Sequence, residues 1–315
     1  MSKKVNTSGL TEAAMVSGLL VILSMISFYI FPLIDFLFPV PGILLAKRRG
    51  FKYSALSLIS ASIIISMLIG IQMGFIYLFM YTPIAIAMSY MICKEKKPTS
   101  VIIVGAIVML ISLIFIVQGL EMFMGVEFTD EITSLIRESF DLSKDLFGKS
   151  EAFNSNLQNI NTMMDNAIHL LTRLVPVMLI LTSVLMAVAN YMIAQLVGRK
   201  LKVELTPLKD LAFFRLPKGF ILGFVVMILL SLMFTQLGFS NGDVILLNIF
   251  MVGCFAFLVQ GLGVIKFLFI KYKTKPVFRV LIFLFVVFNP VIASAVILLG
   301  VLDMAIDLRN FRKLR

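Results

Sequence analysis

The sequence has few of the residues on which enzyme active sites depend. It has no tryptophan, one histidine and two cysteines in 315 residues. It contains no paired nucleophile and base motif, no zinc-binding HExxH motif and no phosphate-binding glycine loop. Cys93 and Cys254 have neither the CxxC spacing of a redox or metal site nor a histidine nearby. We therefore expect no catalytic residues, no metal site and no cofactor, and we predict that the protein is not an enzyme.

Charged residues are also scarce, at 14% of the chain, whereas 60% of the residues are hydrophobic and 29 are phenylalanine. A mean hydropathy of +1.04 excludes an ordinary soluble domain. Several apolar stretches reach the roughly 20 residues that a helix needs to cross the hydrocarbon core of a bilayer. The composition predicts an all-α, polytopic membrane helix bundle whose main partner is the lipid bilayer.

The basic residues are concentrated in short clusters beside the apolar stretches. Twenty-four of the 28 lysines and arginines fall in six clusters. The clusters lie at 3–4, 47–52, 94–97, 199–218, 266–279 and 309–315. This is the distribution of positive charge that marks cytoplasmic loops, so it predicts a plasma-membrane protein with a cytoplasmic N-terminus. The net charge of +11 then indicates contact with anionic lipid rather than with nucleic acid.

The lengths of the apolar segments predict about nine transmembrane helices, within a range of eight to ten. The first eight are expected at 10–31, 33–46, 53–69, 75–92, 99–120, 167–197, 219–237 and 243–265. The last segment, 280–308, is long enough for one crossing, but its basic tail favours two half-length helices broken at Asn289 and Pro290. Our interpretation is one long helix kinked at that proline.

Changes in composition divide the chain into three parts. Residues 1–198 form a predicted six-helix membrane domain, 199–218 a basic cytoplasmic linker, and 219–315 a group of C-terminal membrane helices. Residues 121–166 of the first part contain nine acidic and three basic residues, so we predict an extracellular insertion there. Apolar residues at helical spacing within this insertion predict amphipathic helices on the outer surface.

Two pairs of small residues lie near the start of the first helix. Ala14 and Gly18 are four residues apart, as are Ala13 and Ser17, so each pair shares one helix face. Small side chains allow another helix backbone to approach closely in a membrane. Two interpretations are open: packing against the protein's own helices, and a docking face for a partner subunit.

Several polar residues are predicted at the outer level of the helices. Asp35, between Pro32 and Pro39, is either a solvated residue that caps the second helix or a group beside an outward-facing cavity. Arg173 could pair with Glu121 or Asp35 at the helix end, or bind an anionic group of a ligand. A solute pocket at this level would be formed by Asp35, Gln72, Tyr81, Gln118, Glu121, His169 and Arg173.

The order of the first six helices resembles the substrate-binding S subunits of energy-coupling-factor transporters. The shared features are a long first helix, a proline-rich outer link, short second and third helices and the small-residue segment from Thr11 to Gly18. This resemblance covers roughly residues 8–198. The whole chain, including the segment from Asp303 to Arg309, resembles the YybS-type membrane proteins of Gram-positive bacteria, a family of unknown function related to those S subunits. Acids and arginines in that segment also suggest an interfacial anchor.

The resemblance to S subunits implies that Ala14 and Gly18 contact a transmembrane coupling subunit and that a solute lies beneath the outer loops. Our leading hypothesis is a membrane protein that binds a small solute or a lipid at its outer face, for uptake with ATPase partners. The alternative is a membrane scaffold or regulatory protein without transport activity. An enzyme would instead require Asp35, Glu121 and His169 to lie within hydrogen-bonding distance of one another.

Overall fold

The computed structural model describes residues 7–125, 128–147, 157–238 and 241–309, and within these ranges the fold is all-α, as predicted. The helices of the first half are α1 Thr7–Tyr29, α2 Pro39–Arg49, α3 Phe51–Leu68, α4 Ile71–Ile76, α5 Thr82–Cys93, α6 Pro98–Met124 and α7 Phe128–Phe147. Those of the second half are α8 Leu157–Lys200, α9 Phe220–Gln236, α10 Gly242–Lys271, α11 Pro276–Phe288 and α12 Pro290–Ile306. A 3-10 segment, Pro32–Leu37, joins α1 to α2, and a π-helical segment, Tyr77–Tyr81, joins α4 to α5.

Six of the described helical spans are long and apolar enough to cross a membrane, or seven if α11 and α12 count as one bent span. Two further helices are shorter than the roughly 20 residues of a full crossing. They are α2, with 11 residues, and α9, with 17. The membrane fold is therefore confirmed, and the count of nine crossings stays a prediction.

The chain divides into two compact units. The first contains residues up to 172 together with 178–208, and the second contains 173–177 together with the residues from 209 onward. The boundary near residue 208 lies inside the segment that the sequence predicts as a basic linker. A short stretch in the middle of α8 thus belongs to the second unit, although its helix is otherwise part of the first.

In the first unit, α1 and α2 form a hairpin whose two ends meet. Arg49 donates hydrogen bonds of 2.7 and 2.9 Å to Glu12, near the start of α1, and Arg48 lies 3.0 Å from the same carboxylate. The end of α2 therefore returns to the level at which α1 begins. Since 11 residues of helix span only about 16 Å, the 3-10 segment must form the end of the hairpin opposite the Glu12 contact.

Serine side chains connect α3 to its neighbours inside the first unit. Ser54 donates a 2.8 Å hydrogen bond to the carbonyl of Gly42 in α2, and its hydroxyl lies 3.1 Å from that of Ser89 in α5. The hydroxyls of Ser62 and Thr82 are 3.0 Å apart about two turns further along. Such hydrogen bonds stabilise helix packing in lipid, because the hydrophobic effect does not drive apolar helices together there.

In the second unit, α10 and α12 pack backbone against backbone. A Cβ atom on Gly261 would collide with the carbonyl oxygen of Val296, and one on Gly300 would collide with that of Phe257. Glycine at both positions therefore permits the close approach that small residues give to membrane helices.

The long kinked helix that we predict over residues 280–308 is wrong in form, because the structure has two separate helices there. The axes of α11 and α12 differ by 104°. Pro290 has no N–H to continue the helical hydrogen bonds. Asn289 has extended backbone, and its side-chain oxygen accepts hydrogen bonds of 3.0 and 3.2 Å from the N–H groups of Val291 and Ile292. Asn289 thus caps a new helix rather than continuing the preceding one.

Candidate functional site

The candidate site of the first unit lies where the 3-10 segment meets the π-helical segment. The span Ile71–Cys93 is helical throughout, but residues 77–81 follow the wider π-helical pattern. A π-helical turn changes the direction of the side chains that follow it and is frequent at functional sites. Tyr77 and Tyr81, at the two ends of this turn, both lie near the 3-10 segment.

An acid and three aromatic rings form the centre of this site. The hydroxyl of Tyr77 donates a hydrogen bond to the carboxylate of Asp35. The ring centroid of Phe38 lies 4.9 Å from that of Tyr77 and 6.1 Å from that of Tyr81, and the centroids of the two tyrosine rings are 5.4 Å apart. Tyr77 is buried, whereas Asp35 and Tyr81 are half-buried. No side-chain hydrogen bond caps α2, so Asp35 is held by Tyr77 rather than acting as a helix cap.

The structure brings together only part of the predicted pocket. Asp35 and Tyr81 share the cluster around Tyr77. Four other predicted members have exposed side chains, and among the described residues no hydrogen bond or ion pair joins them to Asp35 or to one another. They are Gln72, Gln118, Glu121 and His169. The pocket stays a prediction: of its seven residues only Asp35 and Tyr81 lie in one cluster, which also contains Tyr77, a residue that the predicted pocket does not include.

Arg173 has a different partner from those we predict. It lies in the second unit and pairs with Asp243, at the start of α10, at a distance of 2.9 Å. Both side chains are about half exposed. The pairing with Glu121 or Asp35 is therefore wrong, because Asp243, which is 70 residues away in sequence, lies beside Arg173 in the fold.

Asn248 repairs an interruption in α8 beside that ion pair. Pro176 breaks the regular hydrogen bonding of this helix. The side-chain amide of Asn248 donates a 2.8 Å bond to the carbonyl of Arg173, and its oxygen accepts a 2.8 Å bond from the N–H of Val177. These two backbone groups are four residues apart and would bond each other in an uninterrupted helix. The inserted side chain therefore replaces one helical hydrogen bond.

The two small-residue pairs of α1 lie on different faces. Ala13 and Ser17 are buried, and on the same face a Cβ atom on Gly9 would lie 2.7 Å from the ring of Tyr53 in α3. Ala14 and Gly18 are exposed, and a Cβ atom on Gly18 would meet nothing within 4 Å. Internal packing thus accounts for Ala13 and Ser17, while Ala14 and Gly18 lie on a surface that no other described part of the chain covers.

The segment that suggested an interfacial anchor contains a buried ion pair. Arg309 lies 2.6 Å from Asp303, with only 3% and 2% of the two side chains exposed. Arg309 also donates hydrogen bonds of 2.9 and 2.7 Å to the carbonyls of Ala212 and Phe214, and Gln260 donates a 2.6 Å bond to Asp303. A buried ion pair requires such additional hydrogen bonds to offset the loss of hydration. The sequence does not reveal that this ion pair is buried, because the carbonyls that bind Arg309 belong to the linker, more than 90 residues earlier in the chain.

Two exposed ion pairs connect the same elements. Arg215 lies 3.0 Å from Asp307, and Lys266 lies 3.0 Å from Asp210. Burial raises the pKa of Asp210. The hydrogen bond from the N–H of Ala212 and the ammonium of Lys266 lower it by a larger amount, so the pKa of Asp210 is below its ordinary value. The end of α12, the linker and the last third of α10 therefore lie together. This arrangement favours an α11–α12 segment that enters the membrane and returns to the same side.

Among the described residues, no group of three or more histidine, cysteine, aspartate or glutamate side chains is placed to hold a metal ion.

Comparison with known proteins is consistent with a membrane protein. A family model described as "Predicted membrane protein (DUF2232)" matches residues 18–304. "Uncharacterized protein YybS" of Bacillus subtilis (strain 168) is 26% identical over 311 residues, covering 96% of this chain and 98% of that protein. No solved structure matches the chain.

Proposed function

The chain belongs to the DUF2232 family of predicted membrane proteins, and from this premise we propose that it binds a small solute or a lipid at the outer face of its first unit. The observation that supports this most directly is the half-buried carboxylate of Asp35, held by Tyr77 beside a π-helical turn. An acid at membrane depth is costly unless it faces water or a partner, and for that reason such residues often mark binding sites.

The chemistry of the cluster suggests the kind of solute. A carboxylate has about four positions at which it can accept a hydrogen bond, and Tyr77 uses one of them. The rings of Phe38, Tyr77 and Tyr81 pack against one another, and Tyr77 contacts the acid. A negative charge beside aromatic faces favours a solute with an ammonium or another hydrogen-bond donor group.

Native mass spectrometry of gently solubilised protein tests this proposal. We expect the wild-type protein to retain a small-molecule adduct and the Asp35→Asn variant to lose it, because the amide has no negative charge. Asp130→Asn is the matched control, since Asp130 is exposed and lies outside both the cluster and the predicted pocket. An adduct that persists in Asp35→Asn, or that is absent from the wild type, would contradict binding at this site.

We also propose that the exposed face of α1 around Ala14 and Gly18 docks a transporter coupling subunit or another membrane protein. We expect Gly18→Leu to prevent copurification of that partner, because a large side chain would keep the second backbone away. Gly223→Leu in α9 is the matched control, since a Cβ atom there also meets nothing within 4 Å. Equal effects of the two substitutions would argue against a specific docking face.

A second candidate function, scaffolding or regulation without transport, is favoured by the linker. Phe213 is 66% exposed although the carbonyls of both its neighbours, Ala212 and Phe214, are held by Arg309. A fixed, exposed aromatic residue is suited to contact with a cytoplasmic protein. If Phe213→Ser changes the set of copurifying proteins while Asp35→Asn changes nothing, the scaffold function is the better explanation.

A further inference from the structure

A third face of α1 lines an apolar groove in the first unit. The groove runs between α1, α2 and the end of α8, has a volume of about 500 Å³ and is open along one side. Its walls include Leu19 and Leu23 of α1, Val40 and Leu44 of α2, Val197 of α8, and Leu201 just after the end of α8. This face is distinct from both the buried face and the exposed face that carries Ala14 and Gly18. The outer cluster around Asp35 plays no part in it.

One end of the groove carries excess positive charge. Glu12 and Arg48 line this end, and Arg49 makes the closer, two-bond contact with Glu12. A single carboxylate thus faces two guanidinium groups, which leaves a net charge of about +1. The side chain of Arg48 is 55% exposed, against 28% for Arg49, so Arg48 is the more available of the two.

We propose that this groove binds one anionic phospholipid, with an acyl chain along the apolar walls and the phosphate beside Arg48. The groove is apolar along its length and cationic at one end. A phospholipid has an apolar acyl chain and an anionic headgroup, so each part of the lipid matches one part of the groove. Arginine also presents a planar set of donors that suits phosphate. A volume of 500 Å³ is typical of small-molecule sites, which measure about 300–1,000 Å³.

The charge at one end of the groove favours a lipid over a helix from another protein as its occupant, because the exposed guanidinium of Arg48 matches an anionic headgroup. A lipid chain is also thin and is already present in the surrounding membrane.

The absence of tryptophan makes the proposal testable by fluorescence. Leu19→Trp places a single tryptophan at the groove, and Ile22→Trp places one on the exposed face of the same helix. Each variant is reconstituted in vesicles of equal parts phosphatidylglycerol and phosphatidylcholine, with bromine on the acyl chains of one lipid or the other. Bromine quenches tryptophan on contact, so the ratio of the two quenching values reports which lipid lies beside the probe.

At Leu19→Trp we expect brominated phosphatidylglycerol to quench more strongly than brominated phosphatidylcholine. The difference should correspond to about fivefold enrichment of the anionic lipid, which is the effect of one basic residue near a membrane surface. At Ile22→Trp we expect equal quenching by the two lipids. Adding Arg48→Ala to Leu19→Trp should remove the preference.

Equal quenching by both lipids at Leu19→Trp would overturn the proposal, as would quenching by neither, which would mean that protein fills the groove. A preference that survives Arg48→Ala would overturn the assigned phosphate contact. If Leu19→Trp does not give monodisperse protein, Leu23→Trp, also on the groove wall, provides the same measurement with Met25→Trp as its control on the exposed face.

Discussion

At the level of single residues, the most constrained group is the ion pair between Asp303 and Arg309. We predict that Asp303→Asn lowers the free energy of unfolding by about 3–5 kcal/mol, because it leaves a buried guanidinium without a counter-charge. The exposed pair of Asp307 and Arg215 provides the control, and Asp307→Asn should cost about 1 kcal/mol or less. Thermal unfolding in detergent compares the two variants. Similar losses in both would show that burial does not set the energy of the Asp303 pair.

Asn248 gives a second prediction, because its role depends on Pro176. Asn248→Leu should destabilise the protein by about 1–3 kcal/mol, since it leaves the N–H of Val177 and the carbonyl of Arg173 without their partner. In a Pro176→Ala background the helix can restore its own bond, so the same substitution should cost less. The measurement is the same thermal unfolding, applied to the two single variants and the double variant. An equal cost in both backgrounds would refute the repair role.

Residue-level prediction succeeds or fails according to how far apart in sequence the partners lie. Asp35 and Tyr81 can be predicted from the sequence as pocket residues, because the sequence shows which polar residues lie near the ends of apolar helices. Asp243 is not predicted as the partner of Arg173, since only the packing of distant helices brings the two together. The two small pairs of α1 look equivalent in sequence, and only the position of α3 distinguishes the buried pair from the exposed one.

At the level of elements, hydropathy predicts most helices to within a few residues. The exceptions have local physical causes. α8 begins at Leu157 rather than near 167, because its first turns are polar and carry no membrane signal. The π-helical turn at 77–81 is invisible to periodicity, which does not register one extra residue in a helical turn.

The break between α11 and α12 gives an element-level prediction. The double substitution Asn289→Leu with Pro290→Ala removes both the cap and the proline, so we expect the two helices to merge into a straighter one. Distances between spin labels at Leu281 and Leu298, measured by pulsed electron resonance, should increase relative to the unsubstituted protein. Pro276→Ala, at the start of α11, is the control, since proline in a first helical turn breaks no helix. An unchanged distance in the double variant would place the cause of the break outside these two residues.

For the whole molecule, the sequence predicts the class and the family resemblance correctly. The resemblance to YybS-type membrane proteins is confirmed. The likeness of the first half to S subunits and any transport activity stay predictions. Composition determines the class because only a membrane accommodates so much apolar surface, whereas a ligand depends on a few side chains whose arrangement composition does not encode.

The topology of the second unit gives a prediction at this scale. The contacts of Arg309 and Asp307 with the linker require the end of α12 to lie on the linker's side of the membrane. In a background with Cys93 and Cys254 replaced, single cysteines at Phe213 and Asp307 should react with an impermeant thiol reagent from the same side. A cysteine at Asn241, in the turn between α9 and α10, should react from the opposite side. Labelling of position 307 together with position 241 would contradict a returning α11–α12 segment.

The contact of Arg309 with the linker also has a consequence for biosynthesis. The carbonyls of Ala212 and Phe214 emerge from the ribosome 97 and 95 residues before the guanidinium that binds them. Until then Asp303 has no counter-ion, and the linker lacks these two bonds. The second unit can therefore reach its final packing only after residue 309 has been synthesised, so we expect a pause in synthesis before that residue to leave an incompletely packed intermediate.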